Sequence, residues 1–90
     1  MITACHAYII YTMNGGTGSI PGEDLDLGGG GLFTFINKHA LKLGDAEDVA
    51  LYVNYEWEDQ CNLEVSNTIL KRLGDLKWTL CISTYEKEDT

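Results

Sequence analysis

The side chains able to do nucleophilic or metal chemistry are few: Cys5, His6, His39, Cys61 and Cys81. A zinc site read from sequence rests on ligands paired a few residues apart. None of the five forms a Cys-x-x-Cys or His-x-x-x-His pair, so no metal or cofactor is assigned. Cys5 and His6 are adjacent in a segment that alternates like a strand, which points them to opposite faces and excludes a thiolate–imidazole pair. Cys5 with His39 would need a proximity that spacing does not supply. A buried free cysteine acting as a small apolar residue is the commoner case. Glu23, Asp24 and Asp26 open like a calcium loop, but glycines replace the later oxygen ligands and no closing glutamate follows. No residue is assigned a catalytic role.

Asn14-Gly-Gly-Thr-Gly-Ser-Ile-Pro-Gly invites a phosphate-binding reading, because glycine lets backbone N–H groups approach an anion. The details oppose it. No Gly-Lys-Ser/Thr ending follows, the spacing is not Gly-x-Gly-x-x-Gly, and Pro21 and Gly22 stand where a helix should begin. The acidic residues just beyond would repel phosphate.

Charge is the most informative bulk property. Six Lys and Arg face fourteen Asp and Glu, a net charge of −8. Direct nucleic-acid binding needs cations to displace counterions from phosphates, so this composition argues against it. An acidic surface can meet a basic protein surface instead. It can also simply keep a small protein soluble. Three widely spaced cysteines are no disulfide framework and point to a reduced, cytoplasmic protein. No apolar run approaches the ~20 residues a membrane-spanning helix needs, and no signal peptide is evident.

The elements that must position these residues read as one domain over residues 1–90. Ile2 to Met13 is a strand with both faces partly apolar, as a central strand would be. Asn14–Gly31 holds eight of the ten glycines and reads as a long, acidic, mobile loop, with Ile20, Leu25 and Leu27 able to pin its middle as a short strand or turn. Leu32 to Leu43 has a helical stripe of Leu32, Ile36, Ala40 and Leu43, with Gly44 as the stop. Asp48 to Trp57 alternates as a strand. Ser66 caps a helix carrying Ile69, Leu70 and Leu73, and Gly74 stands at its expected C′ position. From Trp78 the period falls to two, with Trp78, Leu80 and Ile82 on one face. Residues 86–90 read as a fraying charged tail.

The core expected from these stripes is Tyr8, Ile10, Ile36, Leu51, Val53, Ile69, Leu73, Trp78, Leu80 and Ile82. The fold expected is α+β: a two-layer sandwich with a three- to four-stranded sheet and two helices on one face. The other face is left for the loop, a further strand or a partner subunit to cover.

The run Asn62-Leu-Glu-Val-Ser, Ile69-Leu-Lys-Arg-Leu-Gly-Asp-Leu-Lys-Trp and Ile82-Ser-Thr-Tyr resembles the carboxy-terminal part of a family of uncharacterised small α/β bacterial domains, some thought to act as immunity-type proteins. The resemblance implies no catalytic residue, and the glycine loop departs from the family's pattern. Size and charge are also like those of small phage or mobile-element proteins that inhibit bacterial defence machinery.

The function expected is a non-enzymatic, acidic protein-binding module of the inhibitor or immunity type. It would occlude a basic surface of a target such as a toxin or a nucleic-acid-binding protein. Glu23, Asp24, Asp26, Glu56, Glu58, Asp59, Glu86 and Glu88 are the candidate binding residues. If the strands at 48–57 and 78–85 are parallel neighbours, Glu56, Glu58, Asp59, Glu86 and Glu88 gather at one pole. If they are antiparallel, the tail meets Asp45, Glu47 and Asp48. The alternatives are a ligand-binding or enzymatic domain with a pocket under the glycine-rich loop, and a structural homo-oligomer such as a homodimer.

Overall fold

A computed structural model describes residues 1–27 and 30–88. Gly28 and Gly29 of the glycine run, and Asp89 and Thr90 of the expected tail, lie outside the described residues. The elements follow one another as β1 (Ile2–Met13), β2 (Gly16–Asp24), α1 (Gly31–Ala40), β3 (Asp48–Trp57), α2 (Asn67–Leu76) and β4 (Thr79–Glu86). The strands form one mixed sheet in the order β2-β1-β3-β4. β1 is antiparallel to both β2 and β3, and β4 runs parallel to β3. Both helices contribute to a core on one face of this sheet, so the architecture is the expected α+β arrangement.

The stretch expected as a mobile loop is largely strand. Asn14 and Gly15 both take positive φ, 53° and 79°, between paired Met13 and Gly16. Those signs are what a two-residue turn matched to the strand twist requires, and Asn-Gly supplies them at little cost. β2 then runs back along β1 as far as Asp24, opposite His6. Its glycines have a packing role. A Cβ at Gly18 would collide with the Tyr11 ring, and one at Gly22 with the His6 ring. Rings on the inner strand therefore take the place of side chains on the edge strand. Pro21 and Gly22 fall at a register shift between Ala7 and Ile9, on an edge strand where a missing N–H is tolerated.

The core face of the sheet is Cys5, Ala7 and Ile9 of β1 with Val49, Leu51, Val53 and Tyr55 of β3. Phe35, Ile36 and Leu32 of α1, Leu73 of α2, and Trp78 close it from above. Expected core residues Ile36, Leu51, Val53, Leu73 and Trp78 are buried, and Ile69 and Leu80 pack on the core from its margin. Three expectations fail. Tyr8 and Ile10 belong to the opposite face, with Ile10 37% exposed, and Ile82 is 39% exposed. Both faces of β1 are apolar in sequence, so alternation alone could not say which face the helices cover. Ile82 faces the helix side, but it lies on an edge strand beyond their cover.

α1 ends at Ala40, short of the expected Leu43, which is nonetheless buried in the turn that follows. Ser66 caps α2 as expected: its hydroxyl accepts from the Ile69 N–H at 3.3 Å. The expected stop at Gly74 does not occur. α2 continues to Leu76, which packs against the core, and Lys77 takes the left-handed position at φ 60°. The Lys77 N–H donates to the Gly74 carbonyl and the Trp78 N–H to the Leu73 carbonyl. Anchoring Leu76 and Trp78 in the core outweighs the conformational convenience of stopping at glycine.

Candidate functional site

The parallel pairing of β3 and β4 decides where the acidic residues go. Trp57 is in register with Glu86, and Glu56 with Tyr85. Glu56, Glu58, Asp59, Glu86 and Glu88 therefore share one end of the sheet, as the parallel alternative expects. The amino end of β1 lies there too, with Ile2 opposite Trp57 and the Met1 ammonium hydrogen-bonded to the Glu58 and Gln60 carbonyls. Glu56 is held by the Thr3 hydroxyl, which donates to its Oε1 at 2.8 Å. Lys87 also lies at this end, its backbone N–H bonded to the Trp57 carbonyl, so two positive charges, its ammonium and that of Met1, stand among the carboxylates.

Asp26 reaches the same end through the chain that leaves β2, where the Leu25 N–H bonds to the Cys5 carbonyl. Glu23 and Asp24 do not belong to the cluster. Glu23 lies opposite Ala7, well along the sheet, with Lys38 Nζ 3.2 Å from its carboxylate. Asp24 lies opposite His6, with His6 Nδ1 3.0 Å from its Oδ1. Both pairs are solvent-exposed, so they orient side chains more than they stabilise the fold.

The second feature is the sheet face that no helix covers. Tyr8 and Tyr52 stack there with centroids 4.9 Å apart and planes 4° from parallel. Register places Cys81 next to Tyr52, Asn54 between His6 and Ser83, and Tyr85 beside Glu56. Tyr85 is 50% exposed. This face is an aromatic strip running into the acidic end. The sequence shows the tyrosines; it does not show that they share an open face.

The third feature is a cavity of about 550 Å³ between the core face and the segments at 25–27, 30–31 and 62–65. Buried Cys5 and Tyr55, opposite each other in β1 and β3, form its floor. Burial raises the Cys5 thiol above its ordinary value, against a smaller opposing effect of its hydrogen bond with Tyr55. Burial, with Cys5 as a further cause, pushes Tyr55 up to about 12. Both groups are therefore neutral at physiological pH, and a protonated thiol is a poor nucleophile.

His39 is buried against Phe35, with ring centroids 4.8 Å apart, and neither ring nitrogen has a hydrogen-bond partner among the described residues. It behaves as the packed core-edge histidine its position suggests, and burial lowers its pKa. Among the described residues, no group of three or more His, Cys, Asp or Glu is placed to hold a metal ion. No helix among them is long and apolar enough to cross a membrane. Compared with protein-family models, curated proteins and solved structures, the chain finds no match.

Proposed function

We propose that this chain is a small, acidic, non-enzymatic protein-binding module of the inhibitor or immunity type, which occludes a basic surface on its target. The observation that carries the reading is the shared end of β3 and β4, where register collects Glu56, Glu58, Asp59, Glu86 and Glu88 beside an uncovered strip of tyrosines. Aromatic side chains are enriched at the centres of protein interfaces, and charges at the rim set partner choice and encounter rate. The resemblance of the carboxy-terminal third to a family of uncharacterised small α/β bacterial domains, some thought to act as immunity-type proteins, points the same way. So does the net charge of −8, which disfavours nucleic acid as the direct ligand.

The test is a pull-down from the native host at low and moderate salt, followed by association kinetics with the captured partner. Reversing Glu56, Glu58 and Asp59 to Lys is expected to slow capture at least tenfold at low salt, a change within the range of electrostatic steering. The fold should survive with a modest loss of stability, because none of the three is buried and Glu56 gives up a single hydrogen bond, from Thr3. A triple variant that captures the same partner at an unchanged rate would remove the main support for this reading.

A further inference from the structure

The cavity over Cys5 and Tyr55 has features that the acidic end does not explain. Its volume of about 550 Å³ is that of a small-ligand site. Its walls are aliphatic: Ile2, Leu25, Leu32, Leu63, Val65 and Ile69. Polar groups are confined to two places. The floor offers the neutral Cys5 thiol and Tyr55 hydroxyl, which can bond to a ligand without charge. The exposed rim carries Asp26, Asn62 and Glu64, and among the described residues no Lys or Arg lines the cavity.

The amino end of α1, at Gly30 and Gly31, also reaches the rim. A helix terminus there carries a partial charge of about +0.5, which the Glu64 carboxylate alone outweighs. An anionic headgroup would therefore meet net repulsion, deepened by the charge of −8 on the whole chain. A cationic headgroup meets the opposite field, while an apolar body gains from burial against the walls.

We propose that this cavity binds a small molecule with an apolar body and a protonated amine, its body over Cys5 and Tyr55 and its ammonium group at Glu64. The cavity shares Ile2 and Asp26 with the acidic end, but Glu64, where the ammonium group is placed, is not among Glu56, Glu58, Asp59, Glu86 and Glu88, so the two readings are tested by different substitutions. The test is an amide NMR titration of the intact chain with hexylamine, hexanol and hexanoate. Hexylamine is expected to shift the amides of Cys5, Leu63 and Val65 saturably, with half-saturation near ~1 mM for so small a ligand. Hexanoate is expected to leave them unmoved.

Glu64→Lys, an exposed change, should weaken hexylamine about tenfold through loss of a charge-assisted contact, with an unchanged melting temperature. Val65→Trp should fill the cavity and abolish binding; if that variant fails to fold, Glu64→Lys still decides. Hexanol or hexanoate binding as tightly as hexylamine overturns the amine assignment. Absence of saturable shifts with all three overturns the site.

Discussion

His39 shows how one side chain can set a pH dependence. In the unfolded chain its imidazole takes up a proton near pH 6.5. In the fold, burial lowers that value, helped by Lys38 and Lys42 and opposed by Glu23. Below pH 6.5 the unfolded state therefore binds more protons than the native state, and stability falls toward the lower native value. Above pH 6.5 both states are neutral and the contribution is constant. The loss is bounded by one proton, about 1.4 kcal/mol per pH unit. His39→Phe keeps a ring beside Phe35 and removes the titration, so its melting temperature should fall less than the wild type's between about pH 7 and 5.5. Equal slopes would show that other groups set the pH response. The cysteines divide in the same local terms. Cys61 is exposed and Cys5 buried. A thiol reagent should modify Cys61 in the native protein well before Cys5, whose thiol is buried and held protonated.

At the scale of elements, helix ends and strand contacts make the predictions. Lys77 holds a left-handed conformation that disfavours every residue with a Cβ. Lys77→Gly should stabilise by about 0.5–1 kcal/mol in a denaturant titration. Gly22→Ala should do the reverse, by about 1–3 kcal/mol, because the new methyl group meets the His6 ring and the Ala7 carbonyl. Leu73→Ala should cost about 2–5 kcal/mol, since Leu73 is the buried residue of α2. These cases also mark what the sequence could say. The cap at Ser66 and the alternation of β3 were legible because each depends on neighbours a few residues away. β2 was not, although Asn14-Gly15 followed by alternating residues is a hairpin signal. Its glycines read as loop because their side-chain space is filled by rings from another strand.

For the whole molecule, strand direction was the missing variable. Which acidic residues meet depends on whether β3 and β4 run together, and alternation within each strand is the same either way. The covered face of β1 was equally hidden, because Tyr8 and Ile10 are as apolar as Ala7 and Ile9. The open aromatic strip and the cavity both follow from that choice of face. Neither has a local motif. The α+β class itself was legible, because the alternation of strand and helix periods along the chain carries it.

β4 has a further consequence, seen in the time domain. It is mostly exposed, it pairs only with β3, and it sits at the sheet's edge. Its hydrogen bonds can be broken without opening the core around Ile9, Leu51 and Val53. Amide exchange in the native protein should therefore show β4 released in a partial opening while β1 and β3 stay protected. Each such opening turns β3 into an edge, bearing Val49, Leu51 and Val53 beside unpaired backbone groups, which is a template for a strand from another chain. A chain ending at Trp78 would lack β4 but keep the core tryptophan and so live permanently in that state, and light scattering should find it assembling at concentrations where the full chain does not.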